Sequence, residues 1–144
     1  MGGINVGRWI IGGVVAGIVF VVVDFILNGM ILAPQWEAAM VALGLPPMAA
    51  DAGAIVFFVV FDIVAGLAAV WIYAGIRPRF GAGAMTAAYA GLVTWLLLIL
   101  LPNGFIMSTG LLPANLLTIV IVVGIFQIVA GTVAGAYFYQ EERA

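Results

Sequence analysis

Between Arg79 and Glu141 the chain carries no Asp, Glu, Lys or Arg. An uncharged stretch of that length is enough for two membrane-spanning helices of roughly 20 residues each, and two more apolar runs precede it. A chain that is 67% hydrophobic and 7% charged has too little polar surface to cover a globule in water. The expected fold is therefore all-α, a four-transmembrane-helix bundle forming a single integral membrane domain. Spans are expected near residues 8–32, 53–76, 85–101 and 113–139, each close to the roughly 17 to 25 residues a bilayer requires.

The connectors carry their own signals. After Pro34, the residues Trp36, Met40 and Leu43 recur at helical spacing, and Gly44 with Pro46-Pro47 closes the run. This pattern predicts a short interfacial helix between helices 1 and 2, with Trp36 and Glu37 at the membrane surface. "RPRFGAG" reads as a tight basic connector, and "PNGFIMSTG" as an uncharged one turning at Asn103-Gly104. The first apolar run is expected to be a retained helix and no signal peptide, because it is too long, carries Asp24, and would place Pro34 just after a cleavage point at Ala33.

With four spans, Arg8, Arg77, Arg79 and Arg143 fall on one side of the membrane and Glu37 and Asp51 on the other. By the positive-inside rule both termini are expected in the cytoplasm, in a bacterial inner membrane. The chain has no Cys and no His, which removes thiol chemistry, most zinc sites and the usual general base. No metal and no cofactor are expected, and the lack of a basic cluster argues against nucleic acid.

Projected at 3.6 residues per turn, Gly13, Gly17, Phe20, Asp24 and Asn28 share one face of the first helix, within roughly 80°. The second helix groups Asp62 with Ala65, Gly66, Ala69 and Tyr73; the third groups Ala84, Ala87, Gly91 and Thr94; the fourth groups Gly124, Gln127, Gly131 and Gly135. Small residues let helix backbones approach closely where lipid offers no hydrophobic drive, so these faces are expected to pack helices. Gly13-xxx-Gly17 and Gly131-xxx-Gly135 could instead join subunits, although the small-xxx-small pattern is common and weakly specific.

The polar groups on those faces carry more. Counting ~1.5 Å per residue puts Asp24 at ~14 Å, Asp62 at ~15 Å, Thr94 at ~12 Å and Gln127 at ~21 Å from the outer helix ends. A carboxylate at the bilayer centre costs roughly 2.5 to 3.5 kcal/mol on insertion scales, so both acids should turn inward and find partners. No Lys or Arg lies at their depth. Two neighbouring carboxyls without a base must hold a proton, share one or bind a cation, and at least one is expected to be neutral at physiological pH. Asp24, Asp62, Asn28, Thr94 and Gln127 are thus candidates for a proton or cation site, against the plainer alternative of hydrogen bonds that hold the bundle in register.

"FILNGMILAPQWEAAMVALG", a helix end running into a Trp-containing amphipathic connector, resembles small bacterial four-helix membrane proteins grouped as a domain of unknown function. That resemblance covers the layout and implies no activity. Where that family ends its first helix with an aromatic pair, this chain has Leu27-Asn28-Gly29. The layout is also similar to the small multidrug-resistance transporters, which have four helices and a membrane-embedded acid in the first; here the acid is Asp24 in place of Glu, and the connectors are longer.

Two functions are expected to compete. One is a proton- or cation-coupled transport or binding protein using the acidic layer. The other is a structural or accessory subunit of a larger membrane complex. The expected partners are the lipid bilayer, a second copy or other membrane subunits, and a proton or small cation. An enzyme is not expected, although an aspartate pair around a water would suit intramembrane hydrolysis.

Overall fold

The computed structural model describes residues 3–46 and 52–141. Asp51, Pro47 and Arg143, all used above, lie outside these residues. Among the described residues every regular element is a helix, and four are long and apolar enough to cross a membrane. They are α1 (Val6–Ile31), α3 (Ala52–Phe80), α4 (Ala84–Thr109) and α5 (Ala114–Phe138). The short helix α2 (Ala33–Ala42) follows α1. The protein is a multi-pass membrane protein built as a four-helix bundle.

The ends of the helices follow from local chemistry. Asn5 caps α1, its Oδ1 accepting the Arg8 backbone N–H at 3.0 Å. Gly44, at φ 71°, ends α2 in the left-handed conformation that glycine adopts without strain. The Leu45 N–H then reaches Met40 O at 3.0 Å and the Gly44 N–H reaches Val41 O at 2.9 Å, which satisfies the last carbonyls of the helix.

Two connectors differ from expectation. The basic connector is shorter, because α3 runs through Arg77, Pro78 and Arg79 to Phe80 and leaves only the link to Ala84, where Gly81 and Gly83 take positive φ. Likewise α4 does not stop near Leu101. Residues Leu96–Leu100 widen into a π-helical turn, and the helix resumes from Leu101 to Thr109. Pro102 therefore sits in a first turn, where its missing N–H is tolerated. The Asn103 side chain donates to Ile99 O at 2.9 Å, so Asn103-Gly104 is helical and the turn falls at Gly110 (φ 69°). A second π-helical segment, Phe25–Ile31, forms the last part of α1.

Glycines set the crossings. A methyl group added at Gly17 would stand 2.6 Å from Ile63 Cα, and one at Gly13 would stand 2.7 Å from Leu67 Cα. One at Gly66 would meet the Gly17 backbone nitrogen and Gly13 O. Backbone thus meets backbone between antiparallel α1 and α3. The neighbouring face of α1 packs on α5: Gly12 and Gly135 lie backbone against backbone, and the buried ring of Phe20 fills the notch at Gly131. Helix α4 joins through Gly91, whose added methyl would lie 2.9 Å from Val129 Cα, and through Ile99, which would lie 3.0 Å from one at Gly124. The small-residue faces of α1, α3 and α5 are therefore occupied inside one chain.

Antiparallel packing gathers Arg8, Arg77 and Arg79 at the end of the bundle where α1 begins and α5 ends, with Glu37 at the opposite, α2 end. At the arginine end the Arg77 guanidinium lies 5.5 Å from the Tyr139 ring centroid, and Tyr73 meets Tyr139 edge to face at 5.9 Å. Burial pushes the Tyr139 phenol above its ordinary value; Glu141 adds to the shift, while the Asn5 backbone and Arg77 oppose it.

Candidate functional site

Asp24 is the last α-helical residue of α1, and Asp62 is the first buried residue of α3 met from the α2 end. Their levels are set by the Gly13/Gly17 and Gly66 crossing, which aligns the helices in opposite directions. The two carboxyls interact directly, and Gln127 of α5 and Asn28 of α1 also lie at Asp24. Asn28 Nδ2 donates to Asp24 Oδ1 at 3.0 Å. Gln127 Nε2 donates to Phe20 O at 3.2 Å, and its amide lies beside the Asp24 carboxyl.

Asp24, Asp62 and Gln127 line a cavity of about 160 Å³, together with Phe58, Phe61 and Leu98 among others. That volume holds a few water molecules or a small hydrated cation. The oxygen donors available are two carboxyls and an amide, a hard set suited to a proton or an alkali cation rather than to soft metals. Among the described residues no group of three or more acidic, His or Cys side chains is placed to hold a metal ion.

Trp36 extends the network. Its indole N–H donates to Asn28 Oδ1 at 3.0 Å, so a continuous chain of hydrogen bonds runs from α2 through Asn28 to Asp24. Leu32 and Ala39 hold α2 in place by packing on Leu27 and Leu116, with Trp36 against the same cluster. Glu37, next to Trp36, is exposed.

Gln127 sits level with Asp24 instead of a turn deeper. The first turn of α5 lies beside α2, with Leu116 buried against Leu27, Leu32 and Ala39, so α5 starts farther out than its neighbours. Thr94 does not join the acids: it is buried, and its hydroxyl donates to Ala90 O in its own helix at 2.9 Å. The remaining glycines, Gly13, Gly17, Gly66, Gly91, Gly124, Gly131 and Gly135, all lie at helix contacts.

Sequence reasoning passed over Gly12 and Ala16, whose i, i+4 spacing is itself a small-residue signal. It also passed over two indole anchors: Trp9 Nε1 donates to Leu67 O at 2.8 Å and Trp95 Nε1 to Ile121 O at 2.9 Å. Comparison with known proteins gives no match, whether to family models, to curated proteins or to solved structures.

Proposed function

We propose that this protein binds a proton or small cation at the Asp24–Asp62 pair and moves it as part of a transport cycle. One observation supports this most: two interacting carboxyls line a cavity inside the apolar layer with, among the described residues, no basic side chain beside them. Two acids so placed cannot both stay ionised without a counter-charge. A structural role alone would be served by a single neutral amide. In this reading the arginine end faces the cytoplasm of a bacterial inner membrane, and the site is reached from the α2 end, past Trp36 and Asn28. No covalent chemistry is involved.

The test uses the protein in liposomes holding a pH-sensitive dye, with a membrane potential imposed in the presence of different alkali cations. Flux that disappears in both Asp24→Asn and Asp62→Asn is expected. Flux unchanged in both variants would refute the reading.

An accessory subunit is the second reading, and a separate observation favours it. From Ile55 to Phe61 every residue of α3 is exposed, so this half-helix has no neighbour over much of its surface and could meet a partner's helix. The glycine faces are already used within the chain, so assembly in this reading runs through Phe57, Phe58 and Phe61. Replacing those three by leucine would leave the bundle folded and abolish any defined complex.

A further inference from the structure

The acid pair is not served evenly by its neighbours. Both amides of the layer attend Asp24: Asn28 Nδ2 at 3.0 Å, and the Gln127 amide beside it. Among the described residues, Asp62 has Asp24 as its only polar side-chain partner. An ionised carboxyl is stabilised by donors, whereas a protonated one supplies a donor of its own. A single proton in the pair is therefore best placed on Asp62, with its O–H donating to Asp24.

The orientation of Asn28 contributes to this, and that orientation is dictated from outside the site. An indole N–H donates and never accepts, so the Asn28 atom that Trp36 meets at 3.0 Å must be the amide oxygen. The amide nitrogen is then turned toward Asp24. Without Trp36 the same amide could turn its oxygen toward the carboxyl and withdraw the donor. The charged and titratable surroundings do not compete: α3 offers Asp62, α4 offers Leu98 and Ile99, α5 offers Gln127 and Ile128, and on α2 the nearest titratable group is the exposed Glu37.

We propose that Trp36 is a positioning residue for the acid pair: through Asn28 it favours Asp24 as the ionised member and Asp62 as the proton carrier, so that docking of α2 strengthens the preference for loading Asp62. The proposal rests on the proton- or cation-site reading above and names what regulates that site. Undocking α2 removes the Asn28 donor from Asp24 and leaves it the Gln127 amide alone, which narrows the difference between the two acids.

The test is infrared spectroscopy of the protonated carboxyl band in bilayers as pH is varied, with isotope-labelled aspartate. In an Asp62→Asn background only Asp24 reports on the site, and in an Asp24→Asn background only Asp62. Trp36→Phe, which keeps a ring and loses the donor, should raise the proton affinity of Asp24 about tenfold, the scale expected for losing one hydrogen bond to a charged group. It should leave that of Asp62 unchanged; a general loosening of the bundle would move both. Asn28→Ala should give the same shift, and adding Trp36→Phe to it should give no more.

An Asp24 affinity unmoved by either substitution, equal shifts at both acids, or additive effects of Trp36→Phe and Asn28→Ala would each overturn the proposal. Failure of the underlying site reading has a different signature: Asp62 in the Asp24→Asn protein would then titrate as it does in wild type.

Discussion

Replacing Gly66 by alanine should push α1 and α3 apart. The added methyl would meet the Gly17 backbone nitrogen and Gly13 O, and would stand 2.7 Å from Gly17 Cα, where ordinary contact begins at 3.4 Å. None of these atoms belongs to a side chain that can rotate away, so the helices must separate by at least about 0.7 Å. A gap of that size forfeits about a quarter to a half of the attraction at each contact along the crossing, including those of Ile63 and Leu67. Overpacking costs about 1–3 kcal/mol in general, and a backbone clash on both sides puts this case near 3 kcal/mol, about a hundredfold in the folding equilibrium. Alanine's better helix propensity gives little back, because in lipid the separated helices keep their backbone hydrogen bonds. Gly75 on the same helix is the control: an added methyl there meets nothing within 4 Å, so Gly75→Ala should stay within about 0.5 kcal/mol of wild type. Reversible unfolding in mixed micelles would measure both, with Trp9 and Trp71, whose ring centroids lie 5.2 Å apart across the α1–α3 contact, as the fluorescent reporters. Equal stabilities for Gly66→Ala and Gly75→Ala would refute the claim that backbone contact sets this crossing.

Trp95→Phe should cost about 1 kcal/mol in the same assay, the usual net value of one hydrogen bond, because the indole N–H to Ile121 O at 2.9 Å is lost; a cost above about 3 kcal/mol would mean the ring does more than anchor α4 to α5. Tyr139 should ionise above the ordinary tyrosine value of about 10, since burial favours its neutral form. Its contribution to stability is therefore complete below that pH and is lost as pH rises through the folded value. A phenolate absorbance titration of wild type against Tyr139→Phe would show the missing step, and a step at or below the ordinary value would contradict the burial described here.

The spans were legible in the sequence because hydropathy over a long window reports a bilayer directly, and the four arginines agreed with an even count. What the sequence could not supply was the register between helices. Asp24 and Asp62 share a level by counting residues, but their meeting depends on which glycines cross, and Gly12 or Gly13 would turn α1 by a different amount. Gln127 was placed too deep because counting assumes that helices begin in one plane, whereas the first turn of α5 lies beside α2. Thr94 looked equivalent to the acids in projection, yet its hydroxyl has an acceptor one turn back in its own helix, the Ala90 carbonyl, and needs no neighbour. Asn103-Gly104 has the composition of a turn, yet the helix runs through both to Thr109; the π-helical turn at Leu96–Leu100 accommodates Pro102, and no residue type announces such a turn.

The stretch of α3 from Ile55 to Phe61 leaves one side of the acid cavity without protein cover beyond the rings of Phe58 and Phe61, each 54% exposed. In a bilayer, acyl chains would complete that wall. The polarity felt by Asp24 and Asp62 is then set partly by a fluid whose order and thickness vary with lipid composition and temperature, so the bilayer acts as a component of the site as well as its solvent. Lipids that pack tightly against Phe58 and Phe61 would keep water out, and thinner or looser ones would admit it, giving the membrane itself a hold on how far the two carboxyls are hydrated.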